Sequence, residues 1–289
     1  MEHFADRLCA AIRRCGNALC VGLDPRWEQL PREIQIRHGG ESPGRIAAGF
    51  EEFCSRVLDI VAPLVPVVKP QAAFFEACGP EGFAALARLQ RKARNLGLLT
   101  ILDGKRNDIA STATAYAEAA FRIWEADACT VSPYLGRDAI EPFLVSARKC
   151  GAGLFVLVRT SNPGAGLFQD LRVEDGRPLY QHVGAAVAAW SRENLGQHGL
   201  GDVGAVVGAT YPAELRLLRE QMPEVPFLVP GFGAQGGTAD DVRPAFRPDG
   251  MGAVVNSSRG ILFPFRPDDA RWEERIEAAT HQTIAMLRV

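Results

Sequence analysis

The feature that most constrains this chain is a repeat of short, unbroken apolar runs. They are ALCVGLD (18–24), VPVVKP (65–70), LLTILDG (98–104), ACTVSP (128–133), GLFVLVR (153–159), VGAVVGAT (203–210), VPFLVPG (225–231) and GAVVNSS (252–258). A strand with one face in water alternates apolar and polar residues, whereas these runs are continuous, so both faces are expected to be buried, as in a parallel sheet covered by helices. Amphipathic stretches such as 108–126 and 178–195 separate the runs. Eight β-α repeats without a linker or a shift in composition predict an α/β fold, a single (β/α)8 TIM barrel domain over 1–289. The segments 26–46 and 161–178 are polar, rich in Gly and Pro and longer than ordinary βα loops, which makes them candidate lids over the top of the barrel.

Several function classes fall away on charge and composition. A net charge of -2 provides no basic excess for binding nucleic acid or anionic lipid, so any phosphate recognition must be local. No apolar stretch reaches membrane-spanning length, and the N-terminus carries acids and arginines where a signal peptide needs an apolar core. A cytoplasmic protein is expected. Seven scattered cysteines without C-x-x-C spacing suit buried thiols in a reducing compartment, and five histidines without paired spacing support neither a metal site nor a Ser-His-Asp triad.

Barrel enzymes place their chemistry at the C-terminal ends of strands, and here those ends are unusually polar. Strand one ends at Asp24, strand two at Lys69, strand three at Asp103 and Lys105, and strand five at Arg159 and Ser161; strands seven and eight open into PGFGAQGG and NSSRG. Only four lysines (Lys69, Lys92, Lys105, Lys149) occur among 32 basic residues, and two of them sit at these ends. Arginine cannot replace lysine where a proton must be released, because its pKa stays above about 12. In an extended strand Asp103 and Lys105, two apart, face the same side, and Asp108 falls at the start of the next helix. Asp103 would hold Lys105 charged, as a proton donor rather than a Schiff-base nucleophile. The string 231–236 matches G-x-G-x-x-G, but it lies near the C-terminus and Asp249 precedes the next strand instead of ending it, so a dinucleotide site is rejected. In a barrel the loops after strands seven and eight commonly bind phosphate, and Arg259 supplies a matching guanidinium.

The set GLDP, VKP, LDGKRNDIASTATAYA, RTSNPGA, VPGFGAQGG and NSSRGI, in this order over nearly the whole chain, resembles the orotidine 5'-phosphate decarboxylase family in its longer, second subfamily (type 2). The D-x-K-x-x-D-I-x-x-T element is the most specific part. The resemblance implies decarboxylation of orotidine 5'-phosphate to uridine 5'-phosphate, a nucleotide substrate, and neither a metal nor an organic cofactor. Lys69, Asp103, Lys105 and Asp108 would form the family's alternating charge network, with Lys105 protonating C6 and Asp103 beside the substrate carboxylate. Asp24 and Lys69 would contact the ribose hydroxyls, Ser161 the pyrimidine amide edge, and Gln235 and Arg259 the phosphate and base. Asp108 and Thr112 would reach the neighbouring subunit's site, which implies a homodimer. NSSRGI stands where the shorter subfamily has VGRSI, so the residues flanking Arg259 are not carried over. Two rivals share some of these features. Metal-dependent sugar-phosphate decarboxylases and aldol synthases on the same barrel resemble a pattern with Glu at the end of strand two, where this chain has Lys69. A noncatalytic phosphate-ligand-binding barrel would not need a buried acid-lysine-acid network, which is costly to desolvate.

Overall fold

A computed structural model describes residues 1–233 and 237–287. Each of the eight apolar runs forms a strand, the third continuing two residues past its run: β1 (Leu19–Leu23), β2 (Val67–Pro70), β3 (Leu99–Arg106), β4 (Ala128–Val131), β5 (Gly153–Arg159), β6 (Val203–Val207), β7 (Phe227–Val229) and β8 (Ala253–Ser257). They pair in parallel in chain order, and β1 closes on β8 through Leu19–Val255, Cys20–Asn256 and Val21–Ser257. The fold is a (β/α)8 TIM barrel.

The longer helices between the strands pack outside them through an apolar stripe. The helix Pro43–Val61 starts at Ser42, whose hydroxyl accepts from the Arg45 N–H, with Pro43 in its first turn. It buries Phe50, Phe53, Cys54, Val57, Leu58 and Val61, spaced three and four apart so that they fall on one face. Among the described residues no helix is long and apolar enough to cross a membrane. Five of the seven cysteines are buried and all are free thiols.

The lower end of the barrel is plugged by the helix Phe4–Cys15. Phe4, Leu8 and Ile12 join Cys20, Val67, Ile101 and Phe155 in one interior cluster, with the Phe4 and Phe155 rings edge to face at 6.0 Å. A Cβ on Gly153 would stand 2.3 Å from the Phe4 ring, so glycine there is what admits the plug. Gly153→Ala is expected to destabilise the fold by about 1–3 kcal/mol, as overpacking in a dense core does. A urea midpoint equal to that of the parent chain would mean that Phe4 can swing aside without cost.

The segment 26–46 is not a lid. It forms a short 3-10 turn (Trp27–Gln29) and a helix (Arg32–His38) that bury Leu30 and Ile34 completely, and Glu33 accepts a 3.0 Å bond from the indole of Trp272. Two apolar residues four apart were enough to dock it on the outer helices, and only Arg26 faces the cavity described below. The segment 161–178 does lie at the top, folded into a turn (Pro163–Ala165) and a single helical turn (Gly166–Gln169).

Candidate active site

The C-terminal ends of the strands surround one cavity of about 590 Å3. Its apolar lining comes from Leu157, Val206, Leu228 and Pro230, and its polar wall from Asp24, Lys69, Asp103, Lys105 and Thr130. Ser161 and Arg259 also line it. Of the nine residues proposed from sequence, six therefore meet in one space.

The centre of the polar wall is the Asp103 carboxylate. Lys69 Nζ donates to its Oδ2 at 2.7 Å, and Lys105 Nζ and Thr130 Oγ1 donate to its Oδ1 at 2.6 and 2.9 Å. Asp103 and Lys69 are buried, whereas the Lys105 side chain keeps 46% of its exposure. Burial alone would raise the Asp103 pKa, but the ammonium groups of Lys69 and then Lys105 outweigh it and hold the carboxyl well below the usual range. Burial would likewise strip Lys69 of its proton; the charges of Asp103 and Asp24 prevail and move its pKa upward. Both groups are thus ionised.

Local backbone geometry explains how Asp103 and Lys105 meet. Their contact does not come from a regular extended strand: β3 shifts register against β4 between Leu102 and Arg106, and Lys105 takes a left-handed φ of 46°. That conformation is disfavoured for a residue with a Cβ and is characteristic of functional sites. Thr130 compensates for the broken ladder, since its Oγ1 accepts from the Lys105 N–H at 2.9 Å while donating to Asp103. Thr130 was missed in the sequence. The signal is a hydroxyl residue inside the apolar run ACTV.

Asp24 lies at the end of β1 with one buried carboxylate oxygen that has no partner among the described residues, as suits a group awaiting a ligand hydroxyl. The segment after β5 is fastened at its base. Gln169 Oε1 accepts from the Thr160 N–H at 3.0 Å, its Nε2 donates to Thr160 Oγ1 at 2.8 Å, and Arg159 pairs with Asp170 at 3.0 Å. Arg159 is buried beside the rings of Tyr180 and Tyr211, so it holds the loop that presents Ser161 and does not line the cavity.

Three proposed residues stand apart. Asp108 precedes the helix Ala110–Glu118 instead of opening it, its carboxylate accepts from the Ile109 N–H, and it does not line this cavity. Thr112 is exposed on that helix. Gln235 lies outside the described residues. Besides Thr130, the cavity wall includes Gln71, Asn162, Gln169, Asn256 and Ser258, none of which had been singled out. Among the described residues no three His, Cys, Asp or Glu side chains are arranged to hold a metal ion.

Known proteins resemble this chain over most of its length. The profile of the Orotidine 5'-phosphate decarboxylase / HUMPS family matches residues 17–267. An orotidine 5'-phosphate decarboxylase of Rhodopirellula baltica is 50% identical, with both chains covered in full, and one from a Roseiflexus species is 44% identical over 91% of this chain and 90% of its own. The structure of Leishmania donovani OMP decarboxylase superposes with a TM-score of 0.79 at 36% identity, covering 99% of this chain and 97% of the other.

Proposed function

The chain belongs to the orotidine 5'-phosphate decarboxylase family and is a carboxy-lyase that converts orotidine 5'-phosphate to uridine 5'-phosphate and carbon dioxide; we propose that Lys105 delivers the proton to C6 in that reaction. The observation that carries this reading is the Lys69–Asp103–Lys105 array opening into the cavity that Arg259 also lines.

When the bond from C6 to the carboxylate breaks, carbon dioxide leaves and the electron pair stays in the ring plane at C6, without π delocalisation. The site must therefore supply electrostatics in place of an electron sink. The Lys105 ammonium stabilises the developing carbanion and then gives it a proton, ending as a neutral amine. Asp103 sits beside the departing carboxylate. Two carboxylates about 4 Å apart at an effective dielectric near 20 repel by roughly 4 kcal/mol, and enzymes commonly lower barriers by about 8–23 kcal/mol. Repulsion is a minor contributor; Lys105 and phosphate binding by Arg259, aided by Gln235, supply more. Asp24 and Lys69 bind the ribose hydroxyls and Ser161 the pyrimidine amide edge.

The same reading makes the chain one barrel domain over 1–289, located in the cytoplasm, and a homodimer in which Asp108 and Thr112 complete the neighbouring site. The exposed Ile109 and Tyr116, near Asp108 in the chain, and Tyr134 and Leu135, in the loop after the adjacent strand β4, support such an interface. Mixing inactive Lys105→Ala and Asp108→Ala chains is expected to restore up to about a quarter of the parent activity after subunit exchange, from the sites that combine both intact residues. No recovery after verified exchange would place Asp108 in its own chain's site.

The reaction itself is read by the fall in ultraviolet absorbance as orotidine 5'-phosphate is consumed, with and without EDTA. Conversion that resists the chelator is the expected result. A folded sample that leaves the substrate intact would reject the assignment.

A further inference from the structure

We propose that Ser258 is a phosphate-binding residue whose hydroxyl, turned by the Asn256 amide and seated against Gly22, donates to the substrate phosphate beside Arg259. The inference rests on the function proposed above and names a contact on the flank of Arg259 that the family resemblance does not carry over.

Asn256 lies in β8, only 8% exposed, and its Nδ2 donates to Ser258 Oγ at 3.2 Å. A serine hydroxyl has one hydrogen and two lone pairs. Because the amide occupies a lone pair, the O–H points elsewhere, and among the described residues no acceptor receives it. Ser258 also precedes the short helix Arg259–Leu262 in the position where serine normally accepts a backbone N–H, yet its side chain makes no such bond. The hydroxyl accepts from the Asn256 amide but does not cap the helix, and its own O–H is left to donate elsewhere.

Gly22 fixes where that hydroxyl lies. A Cβ on Gly22 would stand 1.9 Å from Ser258 Oγ, so only glycine in β1 leaves room for it. Ser258 and Arg259, adjacent in the chain, both line the cavity, as do Pro230, Gly231 and Phe232 from the loop after β7. A phosphate dianion offers oxygens that only accept, and here a guanidinium and a free O–H, adjacent in the chain, can both donate. A neutral nucleoside would leave that donor unused.

The test compares kcat/KM for orotidine 5'-phosphate with kcat/KM for orotidine, the same molecule without phosphate. A hydrogen bond to a charged group predicts that Ser258→Ala lowers the ratio of the two by about ten- to a hundred-fold. Asn256→Asp, of nearly the same shape, cannot donate to Ser258 Oγ and would instead accept its O–H, so the ratio is expected to fall at least as far. Ser258→Gly removes the hydroxyl a second way should the alanine variant fail to fold. An unchanged ratio, whether both values fall together or neither moves, would overturn the proposal. The parent chain in the same series keeps the two readings apart: no conversion of orotidine 5'-phosphate by it would reject the activity itself, whatever the variants do.

Discussion

Lys105→Ala is expected to lower kcat on orotidine 5'-phosphate by about 10^4-fold or more while the protein stays folded. General acid catalysis contributes roughly 10^2–10^4-fold, and removing one preorganised group that stabilises developing charge costs about 10^2–10^3-fold. Lys105 is assigned both roles, so the losses compound. The fold should tolerate the change, because the Lys105 side chain is 46% exposed and Asp103 keeps its bonds from Lys69 and Thr130. Lys105→Arg separates the two roles: it retains the positive charge but cannot release a proton near neutral pH. It should recover little of the rate. A Lys105→Ala enzyme within about tenfold of the parent kcat, a loss too small for general acid catalysis, would remove Lys105 from the proton-transfer step.

The second large effect is on stability. Lys69→Met leaves Asp103 buried with only its Oδ1 side satisfied, and breaking a buried ion pair by removing one partner costs about 3–5 kcal/mol. At about 2–4 °C per kcal/mol for a chain of this size class, the thermal midpoint should fall by roughly 6–20 °C. The double change Lys69→Met with Asp103→Leu removes both charges and is expected to regain much of that loss, since an apolar pair of similar volume can replace a buried ion pair. Activity should not return with it. If the double variant were no more stable than Lys69→Met alone, the pair would not be what the single change breaks.

The pH dependence follows from the directions of the two shifts. Asp103 is held below its unfolded value of about 3.9, so its contribution is complete above that pH and drains away as the pH falls further. Lys69 is held above its unfolded value of about 10.4, so its contribution is complete below that pH and drains away as the pH rises. The stability difference between the parent and the double variant should therefore stay level between about pH 4 and pH 10. A steep slope within that window would contradict the charge states assigned to the site.

By itself the sequence determined the barrel and most of the rim. Continuous apolar runs report burial on both faces whatever the neighbours are, and eight of them separated by amphipathic stretches leave few alternatives to a closed parallel sheet. Rare lysines and acids at the ends of those runs were legible for the same reason, because the ends of barrel strands share one rim. Only the tertiary structure decided how the rim works. The left-handed turn at Lys105, the bonds of Thr130 across the β3–β4 shift and the Asn256–Ser258–Gly22 contact each join residues from different strands or depend on register. Docking of 26–46 on the outer helices, against its lid-like composition, rests on two buried side chains, Leu30 and Ile34. Periodicity records whether a residue is inside or outside along its own element; hydrogen bonds between elements depend on distances of a few ångströms that no single run encodes.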